Sequence, residues 1–300
     1  MPLKSKIMVT GAGWLADELH NVLSDTFDVM IVPPKALDIT SRLMCYQLIE
    51  HYRPQTIIHT AGDDNLDHCQ SDPGWSYRSH VVGTRNIIKA ATRVGAKIVY
   101  PSTVHVFAGD RDEAYTEEDL ANPVNILGQT KFWAERLVIN SRPDSLIIRS
   151  SWLYGRGNMG FFSGLEQMLN RDLPVKVVAD QLISPTYSRD FCQALKELLL
   201  ARACGVYHLT NRGSCTLYQM FRYYLALTGQ GERPTYPISG SEVRLPAPRP
   251  QSGALASTQL DNVGISMRSW QEAMTVCLKK REHLANIITN NQESFAHQSL

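Results

Sequence analysis

The chain has 300 residues, of which 43% are hydrophobic. This is enough apolar material for one large core, or for a main domain with a second, smaller domain. Its 30 basic and 29 acidic residues leave a net charge of +1, which argues against nucleic acid or an anionic membrane as a partner. No apolar run is long enough to cross a bilayer, and the N-terminus lacks the features of a signal peptide. We therefore expect a cytoplasmic protein.

The 6 cysteines lie far apart, without C-x-x-C spacing. This spacing favours reduced thiols over a disulfide scaffold or a zinc site. His59 and His68, the second next to Cys69, have no carboxylate-rich cluster around them in sequence, so we expect no metal.

Short apolar runs alternate with amphipathic stretches in the first half of the chain. Strands are predicted at residues 6–10, 28–33, 56–60, 97–101 and 145–149. Helices are predicted at 14–23, 41–52, 75–94 and 129–139, the second of them capped by Ser41. Strands and helices that alternate at this spacing form right-handed crossovers, so the prediction is an α/β fold with a doubly wound parallel Rossmann sheet.

Beyond Trp152 the pattern is less regular. Strands are predicted at 175–178 and 206–209, helices at 188–201 and 216–228, a long loop at 234–252, and a frayed helix after Lys280. We expect residues 1–152 to form the dinucleotide-binding domain, with 187–205 returning to it. Residues 153–300 would then form most of a smaller, mixed α/β substrate region.

A phosphate-binding loop is predicted where the first strand ends. The segment T-G-A-G-W-L-A has the G-x-G-x-x-G/A pattern, in which Gly11 permits the tight turn, Gly13 lets the backbone approach a pyrophosphate, and small Ala16 lets the helix pack on the strand. The helix N-terminus adds amide groups and a partial positive charge. The pattern therefore predicts dinucleotide binding, with Trp14 and Leu15 as further contacts.

The end of the second strand indicates which dinucleotide is bound. NAD-selective proteins carry an acidic residue there, which binds the ribose hydroxyls. This chain has Pro33-Pro34-Lys35 instead. The missing carboxylate and the nearby lysine favour NADP(H) slightly over NAD(H).

Five further segments carry a family resemblance. They are His80–Asn86 (like N-V-x-G-T-x-N), Ser102–Phe107 (like S-T-D-Y-V-F), Arg149–Gly155 (like R-T-S-W-V-Y-G), Asp180–Thr186 (like D-Q-x-G-x-P-T) and Ala247–Pro250 (like an R-P loop). In this order they resemble the extended short-chain dehydrogenase/reductase superfamily and, within it, the dTDP-4-dehydrorhamnose reductase (RmlD-like) family. The match runs almost end to end. It implies a Rossmann domain that holds NAD(P)H and a C-terminal region that closes over a nucleotide sugar.

In active members of that family a Ser or Thr, a Tyr and a Lys reduce a 4-keto sugar, with the tyrosine as proton donor. Ser102, Thr103 and Lys131 match this set. The tyrosine of the Tyr-x-x-x-Lys pair is Leu127, which has no proton to give. The other departures are His80 for asparagine, Val104 for aspartate, His105 for tyrosine and Ile183 for glycine.

The resemblance also implies which residues contact the ligands. At the cofactor it implies Gly11, Gly13, Trp14, Leu15, Asp38, Ala61 and Lys131; at the substrate it implies Ser102, Thr103, Trp152, Gln181 and Arg249. Asp38 lies in a segment like the family's L-D-I-T turn, where the aspartate contacts the adenine. The competing interpretation of Asp38 is a simple helix-capping aspartate.

Three functions remain open from sequence. The first is an NAD(P)H-dependent reductase of a sugar or nucleotide-sugar ketone, with Thr103, His105 and Lys131 as catalytic residues. His105 would replace the missing acid, because an unperturbed histidine pKa of about 6.5 suits proton transfer near neutrality and strand alternation puts it on the face of Thr103. The competing interpretation is a histidine that fills the volume of the family's tyrosine.

The second function is a catalytically silent binding or regulatory subunit. The regulatory subunit of methionine adenosyltransferase resembles RmlD and serves a protein partner, so such a role would add a protein partner here. The third is a specialised tailoring reductase of secondary metabolism. A homodimer is left open by the sequence.

Overall fold

The computed structural model describes residues 4–155, 164, 167, 169 and 174–280. Its strands are β1 (Lys6–Thr10), β2 (Asp28–Val32), β3 (Thr56–His59), β4 (Lys97–Thr103), β5 (Leu146–Ser150), β6 (Leu153–Tyr154), β7 (Val175–Val178), β8 (Leu182–Ile183), β9 (Thr186–Tyr187), β10 (Gly205–His208), β11 (Cys215–Thr216), β12 (Thr235–Ile238) and β13 (Ser252–Gly253).

The α-helices with both ends described are α1 (Trp14–Leu23), α2 (Arg42–Tyr52), α3 (Leu66–Ser71), α4 (Pro73–Tyr77), α5 (Thr84–Val94), α6 (Ile126–Ile139), α7 (Ser188–Leu200) and α8 (Leu217–Leu227). A π-helical segment, Arg78–Gly83, joins α4 to α5, and a further helix begins at residue 270. No helix among these described residues is long and apolar enough to span a membrane.

Six strands form the central sheet in the order β10-β5-β4-β3-β1-β2, and every neighbouring pair is parallel. Parallel strands need crossovers, which the helices supply. All strands of the sheet therefore end at one edge, where the loops that carry the candidate site lie. The predicted doubly wound parallel fold is confirmed.

Side-chain alternation along β1 divides the core between the two faces of the sheet. Ile7 and Val9 belong to a cluster with side chains of α1 and α7, whereas Met8 belongs to a cluster with side chains of α2, α5 and α6. A strand that is buried on both faces reads as a continuous apolar run because both faces need hydrophobic side chains. This explains why the first strand could be read directly from the sequence.

The second half of the chain contributes to both parts of the molecule. Strand β10 pairs with β5 in the central sheet, and α7 packs against α1. The short strands β11, β8 and β13 form a separate sheet, β7 pairs with β12, and β6 pairs with β9. These elements surround their own core, which includes Tyr154, Phe221, Tyr224 and Trp270. The division of the chain at residue 152 stays a prediction.

The predicted loop at 234–252 is wrong in part. Residues Thr235–Ile238 form β12, whose only neighbour in the described structure is β7. A strand at a sheet edge tolerates Pro237, because an edge residue needs no amide proton on its open side. The density of prolines concealed this strand, and the predicted frayed helix after Lys280 lies outside the described residues.

Candidate active site

The phosphate loop borders a cavity of about 690 Å³, here called the Gly11 cavity. Its lining includes Gly11, Ala12, Pro34, Asp38, Thr40, Ala61, Asp63, Trp75, Arg78 and Ser79. Gly11 has φ +105, and a Cβ there would lie 2.9 Å from the amide nitrogen of Ala61. Only glycine fits this position, because the turn brings the ends of β1 and β3 into close contact.

Gly13 provides an open approach to the N-terminus of α1. It has φ +131, no atom lies within 4 Å of the position of a Cβ, and no side chain caps the first turn of α1. The unpaired amide groups of that turn are thus available to an anion. Trp14 and Leu15 are half-buried on α1 and do not line the Gly11 cavity, and Leu15 packs against the core instead.

Asp38 lies in the wall of the Gly11 cavity. Its Oδ1 accepts hydrogen bonds from the amide and the hydroxyl of Thr40, at 2.8 Å and 2.7 Å. The helix α2 is capped by Ser41, which accepts from the amide of Met44, so the capping interpretation of Asp38 is wrong. Lys35 is exposed and does not line the cavity.

Lys131 lies on α6 with its side chain only 7% exposed, and its Nζ is 2.8 Å from the carboxylate of Asp64. Burial opposes the charged form of the ammonium, but the Asp64 carboxylate outweighs burial and raises the pKa of Lys131 above its ordinary value. The Nζ also lies 3.5 Å from the carbonyl of Pro101. Lys131 is therefore a fixed positive charge at the end of β4.

Leu127, one turn before Lys131, is buried and brings no hydroxyl to the site. The helix α6 begins after Asn125, whose side chain accepts from the amide of Gly128. A Cβ at Gly128 would overlap the carbonyl oxygen of His105. The start of α6 thus packs directly on the turn that carries His105.

The structure corrects the predicted setting of His105. Strand β4 ends at Thr103, and His105 lies in the 3-10 turn Val104–Val106, whose start is held by a 3.3 Å hydrogen bond from the His105 amide to the Thr103 hydroxyl. Strand alternation therefore does not apply to this pair. Burial, aided by the Arg249 guanidinium, lowers the pKa of His105 to about 4, and Nδ1 is buried with no hydrogen-bond partner in the described structure.

His105 nonetheless lines a second cavity, of about 770 Å³, here called the His105 cavity. Its lining includes Leu66, Val104, His105, Ser151, Trp152, Asp180, Gln181, Leu217, Leu245, Arg249 and Pro250. Three of the predicted substrate residues, Trp152, Gln181 and Arg249, are thus brought together. Ser102 and Thr103 lie at the end of β4 and do not line it, and the buried hydroxyl of Ser102 has no partner among the described residues.

Two of these lining residues are held in unusual ways. Trp152 has φ +44, a left-handed conformation that a bulky residue rarely adopts, and the residue is 39% exposed. Arg249 forms two hydrogen bonds to the carboxylate of Asp67, at 2.9 Å and 2.8 Å, which ties the loop before β13 to α3. Sequence reasoning missed Asp67, because its partner lies 182 residues away.

His80 is buried beside the loop that follows β3. Its Nδ1 is hydrogen-bonded to the hydroxyl of Thr130 at 2.9 Å, and its Nε2 has no partner in the described part of the chain. A Cβ at Gly62 would lie 2.9 Å from that Nε2. The larger ring of His80 therefore fits only because residue 62 is glycine.

One loop borders both cavities. Asp63 lines the Gly11 cavity, Leu66 lines the His105 cavity, and Asp64 between them pairs with Lys131. The segment 63–66 thus connects the two cavities, and its Asp64 pairs with Lys131. Among the described residues, no group of three or more His, Cys, Asp or Glu side chains is arranged to hold a metal ion.

Comparisons with known proteins find relatives that match nearly the whole chain. The spore coat polysaccharide biosynthesis protein SpsK of Bacillus subtilis is 30% identical over 279 residues, which cover 92% of this chain and 98% of that protein. The dTDP-4-dehydrorhamnose reductase of Mycolicibacterium smegmatis is 29% identical over 282 residues, or 91% of this chain and 84% of that protein. The crystal structure of dTDP-4-dehydrorhamnose reductase from Bacillus anthracis in complex with NADP matches with a TM-score of 0.89 and 31% identity, over 93% of this chain and 100% of that one.

The family assignment follows from a match that spans nearly the whole chain. The family model described as the RmlD substrate binding domain matches residues 5–283. This range includes the phosphate loop, Lys131 and both cavities. The chain therefore belongs to the RmlD substrate binding domain family.

Proposed function

We propose that this protein binds a nicotinamide dinucleotide, NADP(H) ahead of NAD(H), in the Gly11 cavity and reduces the keto group of a sugar or nucleotide sugar in the His105 cavity, as a dTDP-4-dehydrorhamnose reductase does. The single observation that carries this proposal is the segment 63–66, in which Asp63 lines the Gly11 cavity, Leu66 lines the His105 cavity and Asp64 pairs with Lys131. A reductase needs its two ligands to meet beside a fixed positive charge, and we expect the cofactor and the substrate to meet beside Lys131.

The residues of the Gly11 cavity fit a dinucleotide. The free amides at the start of α1 and the close approach at Gly11 suit a pyrophosphate, and Lys131 would hold the nicotinamide ribose. A bound reduced nicotinamide would supply the hydride. The crystal structure of the Bacillus anthracis reductase with NADP supports this choice of cofactor.

The site lacks a strong general acid among its described residues to protonate the carbonyl oxygen of the substrate. Leu127 cannot donate one, and no tyrosine lines the described part of the His105 cavity. His105 is uncharged near neutrality, since its pKa is lowered to about 4, so it can offer a hydrogen bond but is a poor acid. We therefore expect turnover about 10²–10⁴-fold slower than with a positioned general acid.

The second candidate is a catalytically silent member that keeps the dinucleotide site for binding or for a protein partner. The burial of Leu127 at the tyrosine position favours it, because nothing at that position can act on a substrate. The two candidates share the Gly11 cavity, and turnover distinguishes them.

The test is a titration of the purified protein with NADPH and NADH by fluorescence, followed by single-turnover oxidation of bound NADPH with 4-keto nucleotide sugars. Binding with turnover that His105→Phe abolishes supports a reductase in which His105 faces the carbonyl. Binding without turnover on any ketone of the panel supports the silent candidate. Absence of binding of both dinucleotides would overturn both.

A further inference from the structure

Three charged side chains line the Gly11 cavity, and only two of them have hydrogen-bond partners in the described structure. Two carboxylates are already engaged: Asp38 accepts from Thr40, and Asp63 accepts from the amide of Asn65 at 2.9 Å and contacts the ring of His68. The third charged side chain in the lining is Arg78. It is exposed and makes no hydrogen bond or ion pair within the described structure.

Helix geometry places Arg78 toward the cavity. Trp75, Arg78 and Ser79 stand three and four residues apart, so they share one face of the continuous turn formed by α4 and the π-helical segment. All three line the cavity to which the phosphate loop contributes Gly11 and Ala12. The cavity thus brings an uncommitted guanidinium together with the residues of the phosphate loop.

This combination matches a phosphate. A guanidinium offers several N–H donors in a planar fork that suits phosphate oxygens, and the two carboxylates of the cavity do not compete for it. Arg78 is the only cationic side chain among the described residues that line the cavity. Lys35 and Lys131 lie outside this lining, and Lys131 is paired with Asp64. A dinucleotide carries phosphate at its pyrophosphate and, in NADP(H), also at the 2′ position.

We infer that Arg78 binds a phosphate of the dinucleotide and sets the affinity for it, a role that rests on the proposed dinucleotide site. Arg78 lies outside every sequence motif described above. Whether its side chain reaches the cavity depends on the orientation of the turn after α4, which a sequence motif does not indicate. Recognition by Arg78 adds a specific, charge-assisted contact to the backbone contacts of the phosphate loop.

The test uses ADP-ribose and 2′-phospho-ADP-ribose, which carry the phosphates without the nicotinamide, in isothermal titration with the full chain. Arg78→Gln removes the charge, Arg78→Lys keeps it, and Arg85→Gln is the matched control, an exposed arginine on α5 outside the cavity. We expect Arg78→Gln to weaken binding by about tenfold or more, Arg78→Lys by less, and Arg85→Gln to leave it unchanged.

The two ligands separate the two phosphates. A loss confined to 2′-phospho-ADP-ribose assigns Arg78 to the 2′-phosphate, and an equal loss for both ligands assigns it to the pyrophosphate. Unchanged binding of both ligands in Arg78→Gln overturns the inference while the proposed function stands. If the unsubstituted protein binds neither ligand, the proposed function fails together with the inference. Thermal melting of each variant checks that the exposed substitution leaves the fold intact.

Discussion

The ammonium of Lys131 lies 2.8 Å from the carboxylate of Asp64, and the two side chains differ sharply in exposure: 7% for the lysine and 71% for the aspartate. The lysine side chain is buried and extends from α6, whereas the aspartate is exposed and lies on the loop after β3. In the proposed function a ribose would approach the same ammonium. The carboxylate of Asp64 and the ribose hydroxyls would then compete for one cation.

Replacing Asp64 with asparagine should therefore tighten NADPH binding a few-fold, because the variant removes both a competitor for Lys131 and a negative charge near a polyanionic ligand. Isothermal titration measures the effect. Asp112→Asn is the matched control, since Asp112 is exposed and lines neither cavity. Weaker binding in Asp64→Asn would mean that the carboxylate helps to hold the ribose instead of excluding it.

Leu127→Tyr should restore a proton donor one helical turn before Lys131. We expect the single-turnover rate on a suitable 4-keto nucleotide sugar to rise by about 10²-fold or more. Leu127→Phe is the matched control, because it adds the same ring without the hydroxyl. Both larger side chains enter a buried position and should lower the free energy of unfolding by about 1–3 kcal/mol. Equal rates in the tyrosine and phenylalanine variants would contradict the prediction.

The stability of the protein should fall in mild acid. Burial lowers the pKa of His59 to about 3 and that of His80, His105 and His208 to about 4, against about 6.5 in an unfolded chain. Between about pH 6.5 and pH 4 the unfolded chain therefore binds protons that the folded chain does not. The contribution of these neutral histidines is fully present above about pH 6.5 and is lost as the pH falls toward the folded pKa values.

Urea denaturation at pH 7, 6 and 5 measures this dependence. His80→Asn should reduce the proton uptake on unfolding by about one proton, because it removes one of the buried rings. His51→Asn, at an exposed position on α2, serves as the surface control. A free energy of unfolding that stays constant from pH 7 to pH 5 would show that the buried histidines do not titrate in this way.

Gly128→Ala should displace the turn that carries His105. The added Cβ would overlap the carbonyl oxygen of His105, so either α6 or the turn must shift. We expect a loss of about 1–3 kcal/mol in the free energy of unfolding, measured by urea denaturation. Gly231→Ala is the control, because the nearest atom to a Cβ there lies 3.9 Å away. Equal stability of the two variants would show that the close approach at Gly128 is easily relieved.

The parts of the site that could be read from sequence are those fixed by local geometry. The glycines of the phosphate loop, the cap Ser41 and the alternating strands and helices each depend on residues a few positions apart. Backbone sterics and side-chain periodicity determine such features before the chain is compact. His105 shows the limit of this reasoning, since the strand ended two residues earlier than alternation assumed.

The sequence by itself predicted the parallel α/β fold and the position of the phosphate loop, because local patterns of a few residues indicate both. Only the tertiary structure decided that Asp64 pairs with Lys131, that Asp67 holds Arg249 and that Arg78 lines the same cavity as the phosphate loop. These contacts join residues of different crossovers, and they form only after the sheet has brought the ends of its strands to one edge. Ion pairs of this kind leave no periodic signal, since their strength depends on distance in space and on burial rather than on separation along the chain.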